Sequence, residues 1–175
     1  NKVFSKITNK LNKYIENCFK SFFKLIKGNK EKFVLINGPV SKKNFLKKKY
    51  LGITEYLSKK TKAKNEIMLI YNSKLSVSPI TTHLPLKYVS KHINQKKIIT
   101  NVLGISKFYK SNIKKNPKFA ILGLNPHCET VDKFSEEIKI INPAIKKLKM
   151  KGVNINGPFP ADTFFLEKNL IKYDV

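Results

Sequence analysis

Short apolar runs alternate with stretches of helical period, and that alternation leaves this chain few ways to fold. The runs at 33–36, 67–71, 75–80, 119–124 and 153–155 read as strands, several continuous enough to be buried on both faces. Ile7, Leu11, Tyr14, Ile15, Cys18, Phe22 and Ile26 recur at spacings of three and four. That pattern predicts an amphipathic helix over 5–27, stopped by Gly28. Further helices are expected at 42–49, capped by Ser41, at 54–62, capped by Thr54, at 85–93, started by Pro85, and at 96–109. Ser135-Glu136-Glu137 opens a helix reaching about Met150, with acidic residues at its positive end, and Pro143 should kink or split it. Ala161 begins another. The expected fold is α/β, a layered sheet flanked by helices, with residues 1–175 as a single α/β unit. Runs 67–71 and 75–80, joined by Asn72-Ser73-Lys74, suggest a hairpin.

Polar signatures follow three of the runs: Thr81-Thr82-His83-Leu84-Pro85, Asn125-Pro126-His127, and Gly157-Pro158-Phe159-Pro160-Ala161-Asp162-Thr163. Open α/β sheets place their chemistry beyond the carboxyl ends of strands. His83 and His127 are thus candidate metal ligands, since neutral imidazole is the commonest protein ligand for transition metals. Alternatively, His83 is a partly buried histidine bonded to backbone. Two histidines do not complete a zinc-type site, which takes three protein ligands and water. Asp162 could be a ligand or an acid/base group, or simply the N-cap of a helix from Thr163. Thr54 could donate its hydroxyl to a substrate or cap its helix. His92 reads as solvated. The turn at Gly38-Pro39-Val40-Ser41-Lys42-Lys43 could hold an anion but lacks the Walker pattern. Neither Gly-x-Gly-x-x-Gly nor Gly-x-Ser-x-Gly occurs, so a Rossmann dinucleotide site and a hydrolase nucleophile elbow are unsupported.

A net charge of +25 invites a nucleic-acid reading. All 36 basic residues are lysine, however, and arginine, the preferred bidentate reader of phosphate and guanine, is absent. The joint excess of Lys, Asn and Ile is what AT-rich coding produces without selection for charge. A basic nucleic-acid-binding module therefore stands as an alternative from a different class, and no specific nucleic-acid partner is expected. No apolar run approaches the roughly 20 residues of a membrane helix, so no membrane partner is expected either. Cys18 and Cys128 are too few for a disulfide framework, and a reducing cytoplasm is the default compartment. The chain starts without methionine, and 171–175 reads as the lead-in to another strand. It is expected to be a piece of a longer protein.

Read in order, Asn37-Gly38-Pro39, Gly52-Ile53-Thr54-Glu55, Thr81-Thr82-His83-Leu84-Pro85-Leu86, Gly123-Leu124-Asn125-Pro126-His127 and Asn156-Gly157-Pro158-Phe159-Pro160-Ala161-Asp162-Thr163 resemble the 4-hydroxythreonine-4-phosphate dehydrogenase family of vitamin B6 biosynthesis. The similarity runs from about residue 10 to the end and keeps order and approximate spacing. It implies a three-layer α/β/α fold like that of isocitrate and isopropylmalate dehydrogenases, here incomplete. It also implies oxidation of 4-phosphooxy-threonine with NAD or NADP, followed by loss of carbon dioxide to give 3-amino-2-oxopropyl phosphate. The family's site lies at a homodimer interface and holds a divalent metal (zinc, magnesium or cobalt) through three histidines. His83 and His127 match two of them, and the third is expected beyond Val175. Thr54 matches a substrate-contacting threonine. Asp162 matches an acidic residue near the reacting centre. The metal would polarise the alcohol oxygen and later stabilise the enolate.

Two departures bear on this expectation. The family's Gly-His-Thr-Glu is here Gly52-Ile53-Thr54-Glu55, so a substrate-contacting imidazole is replaced by an apolar side chain. The glycine-rich stretch after Asn-Pro-His is replaced by residues 128–134, from Cys128 to Phe134. Ile53 keeps open a paralogous dehydrogenase acting on another phosphorylated hydroxy acid. The chain by itself is expected to be inactive, because its ligand set is incomplete.

Overall fold

The structure is a computed structural model and describes residues 8–29, 31, 33–46, 49–50, 52–131 and 133–175, with backbone alone for Lys42, Glu167 and Lys168. The chain divides between Glu66 and Ile67 into two compact units.

In the first unit, α1 spans Asn9–Ile26 and starts at Thr8, whose hydroxyl accepts the Leu11 N–H at 3.2 Å. Gly28, at φ 82°, follows its end, as the helix-stop reading requires. Residues 5–7 of the expected helix lie outside those described. α2 covers only Lys42–Phe45, with Ser41 Oγ accepting the Asn44 N–H at 3.4 Å. Ser41 therefore starts the helix, and the expected continuation through 47–48 lies outside the described residues. α3 spans Ile53–Thr61 and is preceded by Gly52 without a side-chain cap. This corrects the Thr54 cap: Thr54 already lies inside the first turn and is exposed. Phe19, Phe45, Leu46 and Tyr56 form the core, with the Phe19 and Tyr56 rings 5.3 Å apart and Ile53 packed against them. The run 33–36 is no strand. Val34 and Ile36 are exposed while Leu35 packs on the core. No strand lies beside it among the described residues of this unit, so its backbone has no ladder to join.

In the second unit, the run at 67–80 folds back as predicted, but only Ile70 and Val77 pair, exchanging N–H···O bonds of 2.8 and 2.9 Å. Residues 86–93 form two short 3₁₀ turns, Leu86–Tyr88 and Ser90–His92, rather than the expected α-helix. Its Lys-rich, largely exposed sequence has too little apolar surface to hold a longer helix in place. α4 spans Gln95–Phe108, capped by Asn94 Oδ1 on the Lys97 N–H at 2.9 Å. β1 spans Phe119–Leu122, α5 spans Asn142–Met150 and β2 spans Ile155–Phe159. A π-helical turn at Glu137–Ile141 precedes α5, with Pro143 in the first α-turn, so the long helix splits where proline demanded it. β1 and β2 are parallel, in register Phe119 with Ile155 and Leu122 with Phe159. On the other side of β1, Ala120 N–H donates to Val175 O at 2.8 Å, and Ser76 N–H donates to Asp174 O at 2.8 Å. Residues 174–175 thus lie along β1, although no strand is formed there and 171–172 make a turn. Beyond β2 the chain makes turns, and α6 is only Glu167–Leu170. Ile98, Val102, Ile105, Phe119, Ala144, Leu148 and Ile155 bury against one another to form the core.

A buried carboxylate lies beside this core. Glu137 is 1% exposed. Its Oε1 accepts the N–H groups of Leu124 at 2.7 Å and Asn125 at 2.9 Å, and its Oε2 accepts Asn125 Nδ2 at 2.8 Å and Ser135 Oγ at 3.0 Å. Burial alone would raise its pKa, but the bonds from Asn125, from its own amide and from Leu124 outweigh it and hold the carboxyl at about 2, below the usual 4.5. A carboxylate whose folded pKa is depressed stabilises the fold above its unfolded value, and that stability is lost as pH falls through the folded one. Between pH 4.5 and 2 the chain should lose on the order of 3 kcal/mol from this residue alone. Urea midpoints across that window should fall more steeply for the native chain than for Glu137→Gln. Equal slopes would show the carboxylate is not held ionised.

Candidate functional site

β1 and β2 run side by side, so their carboxyl ends share one edge of the sheet. The pairing continues past β1: Gly123 N–H donates to Phe159 O at 2.9 Å. Asn125-Pro126-His127 and Pro160-Ala161-Asp162 leave this edge together, which places His127 Nδ1 3.6 Å from Asp162 Oδ2. At that distance the two form an ion pair when the ring is protonated, not a direct hydrogen bond. Both are open to solvent, with side chains 75% and 55% exposed. A pair so exposed contributes little to stability, but it is accessible to a ligand.

Two glycines make the approach possible. A Cβ on Gly157, at φ 128°, would collide with the Ile121 carbonyl oxygen, so only glycine lets β2 lie this close to β1. A Cβ on Gly123 would come within 2.6 Å of Cys128 Sγ and 3.2 Å of Glu137 Oε1. Asn125 is held on both amide hydrogens, donating to Glu136 Oε2 at 2.9 Å and Glu137 Oε2 at 2.8 Å. His127 itself lies at φ 54° and Cys128 at φ 62°, a left-handed turn unusual for residues with side chains. Cys128 N–H donates to Asn125 O at 3.1 Å. The Cys128 thiol is pushed up by burial and by Glu137, with a Gly123 backbone bond opposing, so it is no thiolate nucleophile.

Asp162 does not cap a helix: residues 161–165 form turns, and the Phe164 N–H goes to Pro160 O at 3.1 Å. Its carboxylate is left to His127. His83 also sits in a left-handed turn, at φ 57°, and is exposed. It has no hydrogen-bond or ion-pair partner among the described residues, so the backbone-bonded alternative does not hold. His92 is exposed, its Nδ1 2.8 Å from Tyr88 O. Thr54 belongs to the first unit, where Ile53 beside it packs into the core. Among the described residues no group of three His, Cys, Asp or Glu side chains could hold a metal. An apolar cavity of about 350 Å³ lies against β1, with Ile80, Val102, Ile121 and Phe165 in its wall. None of His83, His127 or Asp162 lines it. Nor is any helix among the described residues long and apolar enough to cross a membrane.

The residue that sequence reasoning missed is Glu137, which Ser135-Glu136-Glu137 presents only as charge at a helix start. Its signal was available in Asn125, an amide-bearing residue with donors to satisfy beside a strand end.

Comparison with known proteins places these motifs in context. A 4-hydroxythreonine-4-phosphate dehydrogenase of Sulfurihydrogenibium sp. (strain YO3AOP1) is 39% identical over 156 residues, covering 87% of this chain and 47% of that protein. A D-threonate 4-phosphate dehydrogenase of Pectobacterium atrosepticum is 34% identical over 127 residues, covering 72% and 39%. The crystal structure of 4-hydroxythreonine-4-phosphate dehydrogenase from Klebsiella pneumoniae superposes with a TM-score of 0.63 at 35% identity, over 71% of this chain and 38% of that one. The fold is thus the α/β fold of these dehydrogenases, represented in part. The chain spans less than half the length of these relatives. The family model described as pyridoxal phosphate biosynthetic protein PdxA matches residues 2–175, and the chain belongs to that family.

Proposed function

We propose that the whole protein oxidises 4-phosphooxy-L-threonine with NAD or NADP and releases carbon dioxide, giving 3-amino-2-oxopropyl phosphate for pyridoxal phosphate synthesis. The observation that carries this reading is the approach of His127 to Asp162, 3.6 Å apart at the ends of two parallel strands, within motifs that match the family.

The donor types suit a divalent cation. His127 turns Nδ1 toward a carboxylate and leaves its other ring nitrogen unengaged, and His83 is exposed and unpaired among the described residues. His83 and His127 would hold zinc, magnesium or cobalt, with a third histidine supplied from outside this chain. When bound, the metal would polarise the substrate hydroxyl. A bound nicotinamide cofactor would supply the hydride acceptor. Asp162 would accept the hydroxyl proton as hydride leaves carbon, and the resulting β-keto acid would then lose carbon dioxide. Thr54, exposed in the first turn of α3, would offer its hydroxyl to the substrate. The same reading takes the whole protein to be a cytoplasmic homodimer and this chain by itself to be inactive.

A second reading is favoured by Ile53. Where the family places an imidazole, this chain packs a partly buried apolar side chain against Phe19, Phe45, Leu46 and Tyr56. Substrate choice at that position then differs, and one relative of similar identity is named for D-threonate 4-phosphate. The full-length protein should be assayed on both phosphorylated acids with NAD and NADP. Turnover of 4-phosphooxy-threonine supports the first reading, and turnover of the other acid alone supports the second.

Replacing His83 or His127 by Ala in the full-length protein should abolish stoichiometric metal, measured by elemental analysis, while circular dichroism stays unchanged. Full metal content in both variants would remove the assignment. Asp162→Asn should lower kcat by about 10²- to 10⁴-fold with metal retained, and an unchanged kcat would exclude proton transfer by this carboxylate.

A further inference from the structure

We propose that Glu137 is a positioning residue for His127, setting the left-handed turn that presents the imidazole to Asp162. The inference rests on the functional reading above for its consequence, but its geometry stands apart from it. Pro126 has no N–H and cannot anchor the loop from its own backbone. The amides just before it, those of Leu124 and Asn125, both donate to Glu137 Oε1. The Asn125 side chain donates to Oε2. The segment entering His127 is therefore clasped from its main chain and its side chain by the Glu137 carboxylate, with Glu136 Oε2 accepting a second bond from the Asn125 side chain at 2.9 Å.

The clasp explains an otherwise unfavourable backbone. His127 and Cys128 occupy consecutive left-handed positions, at φ 54° and 62°, where glycine would be at ease and side-chain-bearing residues are not. The His127 side chain is three-quarters exposed, so its packing contributes little to holding the turn. The Cys128 N–H to Asn125 O and Glu129 N–H to Pro126 O bonds, each 3.1 Å, close the turn, and the Glu137 bonds fix the segment that enters it. Glu137 lies on the turn leading into α5, whose Ala144, Ile145 and Leu148 are buried in the core. The loop's conformation is thereby referred to the rigid part of the unit. Glu137 touches no reacting atom; it acts through Asn125 and the turn.

Glutamine keeps one acceptor oxygen for the two backbone amides. Its amide nitrogen would meet the Asn125 Nδ2 donor, which leaves the two nitrogens opposed. The test uses the full-length protein with isotopically labelled histidine, as Glu137→Gln and, separately, Asn125→Ala. Both remove the Oε2 to Asn125 bond, so one folded variant suffices. In the metal-free protein the His127 backbone resonances should leave left-handed values in the variants, while those of His92 stay put. Added cobalt(II) should bind at least tenfold more weakly than to the native protein, with a changed visible band. A residue that merely stabilised the fold would lower the melting temperature without moving His127 alone. Unchanged His127 resonances in a folded variant would overturn the proposal whatever the metal does. Shifted resonances in a protein that binds no cobalt even in native form would uphold the positioning role and sink the metal reading instead.

Discussion

The carboxylate of Glu137, closed off from water, accepts bonds from Leu124, Asn125 and Ser135, and the loop that carries His127 takes its path from them. A buried charge is tolerated only when its acceptors are filled, and here both oxygens are. That requirement works in both directions. Glu137 needs the loop to remain ionised inside the protein, and the loop needs Glu137 to hold its amides where no strand partner reaches them. Gly123 belongs to the same arrangement, because any side chain there would press on both Cys128 and Glu137.

Parallel pairing does the rest. Parallel strands end on the same side, so chemistry written after one lies beside chemistry written after its neighbour. Phe119 opposite Ile155 and Leu122 opposite Phe159 set that relation. Gly157 allows the close approach, and His127 and Asp162 are its outcome. The core that steadies the pair comes from α4 and α5, through Val102, Ile105, Ile145 and Leu148. Thr54 stands in the other unit, on a helix whose first residue, Ile53, serves the core.

Helices with a clear apolar face were legible in the sequence. Gly28 ends α1 and Pro143 divides the helical segment before α5, as read, whereas the caps of α1 and α4, Thr8 and Asn94, emerged only from the structure. Elements whose existence depends on a partner were not. The run 33–36 has strand composition but no neighbour to pair with among the described residues, and 86–93 has a proline start but too little apolar surface. The strand read at 153–155 is Ile155–Phe159, since pairing with β1 and not apolar content decides its limits. His83, His127 and Asp162 stood out because each follows an apolar run that reads as a strand. Glu137 did not, because a buried carboxylate and an exposed one look alike in a sequence. Asp162 as a helix cap failed for a related reason: turns, not a helix, follow it.

The account reduces to whether His127 and Asp162 meet when the chain is free in solution. A nuclear Overhauser experiment on the labelled protein reads this directly, with contacts between Phe119 and Ile155 as the internal standard for β1–β2 pairing. The account predicts a cross-peak between the His127 ring and the Asp162 β-protons. Its absence, with the strand contacts still present, would contradict it.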